Sequence, residues 1–119
     1  MNNITIVGRL ISPPELRMTP SGVPVCKATV SVNRNNGKKD DKGYPESDLF
    51  QIEVWRKQAE SLSQHANKGT IIGVVGRMES QKRDDKTYWT LKAENWNFVG
   101  PKQGESKEAS GYDAGEIAF

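Results

Sequence analysis

The sequence predicts an all-β domain, a small closed barrel of five strands, and three observations support this prediction. Apolar and polar residues alternate in several short segments, and a period of two is typical of strands with one buried face. Glycines interrupt the apolar rows at Gly8, Gly73 and Gly76, as strands that bend around a small barrel require. One short segment of helical periodicity is inserted between the third and fourth strands.

The first two strands are predicted from their alternation. Residues 3–11 place Ile4, Ile6 and Leu10 on one face, and two prolines then end the strand. Residues 12–22 are predicted to form a structured connector that ends in a tight turn. The second strand begins near Val23, and its apolar row consists of Cys26, Ala28, Val30 and Val32. Residues 35–47 have no apolar period, so we expect a long exposed loop.

The third strand separates a core face from a surface face. Because side chains alternate along a strand, Phe50, Ile52 and Val54 project to one side. The other side is mixed and consists of Leu49, Gln51, Glu53 and Trp55. A mixed face with an indole and nearby lysines and arginines is typical of a surface that stacks bases and holds phosphates. From the residues alone, Trp55 could equally pack between the barrel and the helix that follows.

The remaining elements complete the order of the fold. Ala59, Leu62 and Ala66 recur at helical spacing, and a glycine after Lys68 ends the helix. A nearly apolar strand follows over residues 70–79, then a charged hairpin over 80–86 and a last strand over 87–99. Three strands, one helix and two strands predict a five-stranded Greek-key barrel, the OB-fold. SH3-like barrels and cold-shock domains are of similar size but lack the inserted helix.

Two regions are predicted in the 119-residue chain, a barrel domain over residues 1–99 and a disordered, flexible acidic tail over 100–119. The first has 15 lysines and arginines against 11 acids, and the second has 2 against 4. A basic body favours a polyanionic ligand, although a net charge of +4 is modest for that role.

The composition also excludes several classes of protein. A single cysteine, Cys26, allows no internal disulfide, and with His65 as the one histidine no usual zinc site or catalytic set can be assembled. We therefore expect no enzyme activity, no metal and no cofactor. No apolar run approaches the ~20 residues of a membrane span, and the start of the chain is not a signal peptide. We expect a cytoplasmic protein without membrane contact.

Several segments, in the same order along the chain, resemble the bacterial and phage single-stranded DNA-binding proteins (SSB). They are residues 6–10 (IVGRL), 14–17 (PELR), 19–22 (TPSG), 28–34 (ATVSVNR), 54–60 (VWRKQAE), 68–69 (KG) and 75–78 (VGRM). The resemblance implies an OB-fold that assembles as a homotetramer and binds and protects single-stranded DNA without sequence preference. It also implies roles in DNA replication, recombination or repair, with replication or recombination proteins recruited through the C-terminal tail.

The resemblance implies particular contact residues. Trp55 falls at the family's aromatic stacking position, and Lys57 and Lys68 fall at basic contact positions. Arg34 is added from the residues themselves, because it ends a strand with no acid adjacent in sequence. Lys82 is added from the charged hairpin, which could equally be a solvated tip.

The chain also departs from the family pattern. Leu49 stands where a second stacking aromatic is usual, so the candidates to compensate are Tyr44, Tyr88, Trp89 and the guanidinium of Arg83. For Trp89, parity with Leu91 indicates burial while the neighbouring hairpin indicates exposure, and both remain open. The predicted partner-docking residues of the tail are Asp113, Glu116, Ile117 and Phe119. The short linker before them suggests a phage-borne protein that would act in the host cytoplasm.

Three functions compete at this point. Sequence-tolerant binding of single-stranded DNA leads, because the strand order, the Trp55 face and the basic body agree with one another. An RNA-binding or protein-docking OB-fold module is the alternative, in which Trp55 would contact RNA or a polypeptide. An enzyme is disfavoured because no catalytic set can be nominated.

Overall fold

The computed structural model describes residues 1–99, which form six strands and one helix. The strands are β1 (Ile4–Leu10), β2 (Glu15–Met18), β3 (Pro24–Asn33), β4 (Ser47–Trp55), β5 (Ile71–Arg83) and β6 (Lys86–Phe98), and the helix is α1 (Lys57–His65). The predicted tail lies outside the described residues. So do its predicted docking residues Asp113, Glu116, Ile117 and Phe119.

The strands form one sheet that closes on itself. Its order is β1-β5-β6-β4-β3-β2, and an additional pairing of β1 with β3 places Leu10 opposite Val30. β4 and β6 run parallel, with Ile52 opposite Leu91. Five strands, all except β2, therefore form a closed Greek-key barrel, and α1 lies between the third and fourth of them in chain order. The predicted OB-fold is confirmed.

The connector predicted over residues 12–22 contains the strand β2, which the sequence did not indicate. β2 pairs antiparallel with β3, and Leu16 lies opposite Cys26. All four residues of β2 are exposed, so the strand has no buried row that a hydrophobic pattern could reveal. β2 forms the edge of the sheet and takes no part in closing the barrel.

The core contains the apolar rows that alternation predicted. β4 contributes Ile52 and Val54, and Phe50 packs against them partly buried. The other fully buried side chains include Leu10, Val30, Leu62, Ile72, Val74 and Leu91. Trp96 is buried in edge-to-face contact with Phe98, with ring centroids 5.0 Å apart. Its Nε1 donates to the carbonyl oxygen of Gln58 at 3.2 Å, which joins β6 to α1.

Two glycines allow the close backbone approaches at which the barrel closes. A Cβ on Gly8 would lie 2.4 Å from the carbonyl oxygen of Ser31, where β1 crosses β3. A Cβ on Gly76 would lie 2.1 Å from the carbonyl oxygen of Lys92, at a register shift between β5 and β6. Only glycine fits at these two positions, as the predicted curvature of the strands requires.

The charged hairpin is longer than the sequence indicated. β1 pairs with β5 only as far as Gly76, and β4 pairs with β6 only from Leu91 to Ala93. β5 and β6 continue together to Arg83 and Lys86, so the two strands stand out beyond the barrel. The turn itself is Asp84-Asp85, with φ of 49° and 67°. Positive φ at both central residues is the type I′ geometry that matches the twist of a two-residue hairpin.

Candidate nucleic-acid interface

The outward side of β4 is the candidate interface. Trp55 is 37% exposed at the end of this strand, and Leu49 and Gln51 are exposed on the same side. Phe50, Ile52 and Val54 face the core, so the parity predicted from the sequence is confirmed. The indole is therefore accessible at the surface of the barrel.

Neighbouring strands add charged side chains around the indole. Val25 of β3 lies opposite Trp55, and Lys27 lies opposite Glu53. On the other side of β4, Lys92 of β6 lies opposite Glu53, and Arg77 of β5 lies opposite Lys92. Side chains of directly opposite residues project to the same side of a sheet, so these residues share one surface with Trp55. We call this surface the Trp55 face.

A groove of about 360 Å³ runs across the Trp55 face. Its lining consists of Trp55, Arg77, Glu79, Lys92, Ala93 and Glu94. An indole, two cations and two carboxylates therefore meet in one open depression. Such a groove has the stacking ring and the positive charges that a nucleotide requires.

The indole is anchored at its polar edge. Its Nε1 donates to Oε1 of Glu53 at 2.8 Å, and the ammonium of Lys92 also binds Oε1. The same ammonium nitrogen lies 5.5 Å from the centroid of the Trp55 ring, within the range of a cation–π contact. Glu53 thus joins the ring and its nearest cation.

The carboxylate of Glu53 is stabilised in its charged form. Burial alone would raise its pKa, but hydrogen bonds from Lys92 and Trp55, with the charges of Lys92 and Lys27, lower the pKa below its ordinary value. The other cation of the groove is also paired, because Nη2 of Arg77 lies 2.6 Å from Oε2 of Glu79. Phosphates that enter the groove must therefore compete with carboxylates for both cations.

The hairpin separates the predicted aromatic residues onto opposite sides. Tyr88 and Lys92 are four residues apart on β6 and project to the same side, so Tyr88 extends the Trp55 face. Arg83 shares this side, because it is six residues from Arg77 on β5 and an even separation along a strand places two side chains on the same side. Trp89 and Lys82 project to the other side. Tyr88 is 51% and Trp89 57% exposed, so the open question about Trp89 is resolved in favour of exposure.

The predicted lysines lie at opposite ends of α1. Lys57 is the first residue of the helix, two residues after Trp55, and is exposed. Lys68 is also exposed but follows the far end of the helix, where Gly69 donates to the carbonyl oxygen of Leu10 at 2.8 Å. A nine-residue helix spans about 14 Å, so only Lys57 lies beside the indole.

Arg34 has no acid adjacent in sequence, but the fold brings two acids beside it. Its guanidinium forms a bidentate ion pair with Asp48, with contacts of 2.7 to 3.1 Å, and lies 3.8 Å from Glu46. Hydrogen bonding with Asp48 and the attraction between the two charges raise the pKa of Arg34 and lower that of Asp48. The pairing of β3 with β4 brings these acids beside Arg34 from 12 and 14 residues along the chain. Asp48 is also seven residues from Trp55, roughly 24 Å along β4.

Within residues 1–99, no three His, Cys, Asp or Glu side chains are grouped so that they could hold a metal ion. No helix in this range is long and apolar enough to cross a membrane.

Comparison with known proteins identifies the family. The model of the single-strand binding protein family matches residues 1–96, which include the whole barrel except the end of β6. The chain belongs to the single-strand binding protein family. The resemblance inferred from the sequence is thereby confirmed, and the family is one of non-catalytic DNA-binding proteins.

Relatives of this family member include three bacterial proteins. It is 35% identical to the single-stranded DNA-binding protein of Streptococcus mutans, over 97% of this chain and 72% of that one. It is 34% identical to single-stranded DNA-binding protein A of Bacillus subtilis, over 97% and 69% of the two chains. A Streptococcus pneumoniae single-stranded DNA-binding protein is 42% identical over 72% of this chain and 54% of its own.

The sequence of this family member did not indicate the roles of three residues at the site. Arg77 and Lys92 line the groove, and Glu53 anchors the indole. Arg77 and Lys92 become neighbours of Trp55 only through the parallel pairing of β4 with β6 and the register of β5 with β6. Their outward parity within each strand was readable, but the order of strands around the barrel was needed to place them beside the indole.

Proposed function

We propose that this chain binds and protects single-stranded DNA without sequence preference, during replication, recombination or repair. The observation that carries the proposal is the partly exposed Trp55 indole beside Arg77 and Lys92, on the barrel of a single-strand binding family. A base stacks on the indole, and stacking tolerates any sequence because every base has a π-face. Cations bind the phosphates, which carry no sequence information.

The proposed contacts fall into two groups by position. Trp55, Lys57, Arg83 and Tyr88 form the first group, since they follow the Trp55 face from the helix to the tip of the hairpin. The second group consists of Arg34, Lys68, Lys82 and Trp89. These residues lie at the far end of β3, beyond α1 and on the other side of the hairpin, so a bound strand reaches them only as it leaves the groove.

We also propose that the chain self-associates as a homotetramer, as the resemblance implies. The outer side of β1, of residues 71–75 of β5 and of residues 95–97 of β6 supports it, because charged side chains are scarce there. Thr5 pairs with Val75, and Val75 with Asn95, so two polar uncharged residues flank a valine that is 39% exposed. Arg9 is the charged residue of this row on β1. A surface depleted in charge is typical of an interface core.

Recruitment of replication or recombination proteins by Asp113, Glu116, Ile117 and Phe119 is likewise proposed, supported by the resemblance alone. Removal of residues 117–119 should abolish partner capture while DNA affinity stays nearly unchanged. Loss of DNA affinity on the same scale as partner capture would contradict a separate docking role. The division at residue 99 and the phage origin remain predictions.

Titration with oligo-dT tests the binding proposal. Tryptophan fluorescence should be quenched, the affinity should fall as salt is raised, and duplex of the same length should bind much more weakly. Comparable or tighter binding of a structured RNA would favour the alternative RNA-binding function. Absence of binding to oligo-dT at low salt would contradict the proposal.

A further inference from the structure

Glu53 is an unexpected residue at the centre of a surface proposed to bind a polyanion. Its side chain is only 12% exposed, and its Oε1 accepts hydrogen bonds from both the Trp55 indole and the Lys92 ammonium. A carboxylate here repels phosphate and neutralises the nearest cation. It therefore acts against binding unless it has a positioning role.

Lys92 stands where an incoming base would stack. Its ammonium nitrogen lies 5.5 Å from the Trp55 ring centroid, and Trp55 and Lys92 line the same groove. The cation thus lies over one side of the indole ring. A base cannot stack on that side while the ammonium remains there, so binding requires Lys92 to leave.

The other contacts of Glu53 allow Lys92 to leave. Lys27 lies opposite Glu53 on β3, and its charge helps to hold the carboxylate ionised. Glu53 therefore keeps a neighbouring positive charge, and the indole N–H, when Lys92 is withdrawn. The ammonium of Lys92, on a flexible stem of four carbons, then becomes available to a phosphate beside the stacked base.

We propose that Glu53 is a positioning residue that fixes the Trp55 indole and holds Lys92 over the ring until a single strand binds. The base replaces the ammonium on the ring, and the ammonium exchanges its carboxylate partner for a phosphate. This mechanism rests on the proposed function. It makes Lys92 a cap on the stacking site in the free protein and a phosphate contact in the complex.

The salt dependence of oligo-dT binding tests the exchange, with Lys92→Gln and Glu53→Gln as the variants. Lys92→Gln should make the slope of log K against log salt shallower by about 0.7, the value for one phosphate contact on a single strand. Glu53→Gln keeps an oxygen to accept the indole N–H but releases Lys92. It should tighten binding about two- to fivefold at low salt, the range of a weak ion pair that no longer has to be broken.

Matched controls separate these effects from a general change of charge. Lys42→Gln in the exposed loop and Glu60→Gln on α1 remove the same charges away from the groove. They should leave the salt slope and the affinity nearly unchanged. The indole N–H resonance of Trp55 reports the anchor, and it should resist exchange with solvent in wild type and Glu53→Gln but exchange freely in Glu53→Ala.

The outcomes distinguish this inference from the proposed function. If wild type does not bind oligo-dT, the proposed function fails, and the exchange fails with it. If wild type binds and Lys92→Gln keeps the wild-type slope, the exchange alone is overturned. Weaker binding by Glu53→Gln, with its indole N–H still protected, would also overturn the exchange, because the carboxylate would then favour the complex rather than delay it.

Discussion

The indole Nε1 of Trp55 donates to Oε1 of Glu53 at 2.8 Å, across two residues on one side of β4. This hydrogen bond holds the polar edge of the ring against the strand, while the side chain stays partly exposed to solvent. A ring that is already oriented loses little side-chain entropy when a base stacks on it, and such preorganisation increases affinity. The hydrogen bond between Trp55 and Glu53 therefore orients the stacking ring through the geometry of β4.

The charge of Glu53 should make stability depend on pH in the acid range. Its pKa is lowered in the folded protein from an ordinary value of 4.5, so the carboxylate contributes stability above that pH. The contribution is lost as the pH falls through the folded value. Wild type should therefore lose more of its Tm than Glu53→Gln as the pH is lowered from 6 to about 3. Equal losses of Tm in the two proteins would contradict a stabilising charge on Glu53.

The thiol of Cys26 should be unreactive in the folded protein. Burial, and then the negative charge of Glu15, raise the pKa of Cys26 to about 11, and the side chain is fully buried in β3. Because the thiolate is the reactive form, a disulfide reagent at pH 8 should modify Cys26 only as fast as the protein unfolds. Denaturant should make the reaction fast. Rapid modification under native conditions would show that the barrel opens at β3.

Closure of the barrel should depend on Gly8. In Gly8→Ala the new Cβ would meet the backbone of Ser31 at 2.4 Å, and backbone atoms cannot move aside cheaply. We expect a loss of about 3 kcal/mol in the free energy of unfolding, at the upper end for overpacking. Gly73→Ala is the matched control, because its Cβ would meet a side-chain carbon of Val99 at 3.3 Å and should cost much less. Denaturant unfolding measures both, and equal stabilities would contradict this account of closure.

Self-association should be sensitive to Val75. The variant Val75→Glu places a charge on the outer side of β5, beside Thr5 and Asn95, where a subunit interface is proposed. Burial of an unpaired carboxylate is costly, so the mass in solution should fall towards that of a smaller assembly. Light scattering measures the mass, and Met18→Glu on the exposed edge strand β2 is the control. An unchanged mass for Val75→Glu would place the interface elsewhere.

The parts of the fold that the sequence revealed are those governed by local periodicity. The row of Phe50, Ile52 and Val54 and the opposite row that ends at Trp55 follow from the alternation of a strand, and both are observed. Ala59 and Leu62, which recur at helical spacing, are both buried in α1. These patterns are visible because one face of each element packs against the same core.

Contacts between residues that are far apart in sequence could not be predicted from local periodicity. Arg34 looked unpaired because Asp48 is 14 residues away, and only the register of β3 with β4 brings the two together. Lys92 reaches Trp55 through the parallel pairing of β4 with β6, from 37 residues along the chain. The residues that neutralise or cap a binding group are therefore fixed by topology rather than by local sequence.

Replacement of the indole tests the central claim most directly. Trp55→Ala should stay folded, since the ring is partly exposed, but its affinity for oligo-dT should fall about 5- to 150-fold, the range of one lost stacking contact. Met18→Ala, which removes an exposed apolar side chain from β2, should bind like wild type. A folded Trp55→Ala protein that binds oligo-dT with wild-type affinity would contradict the account.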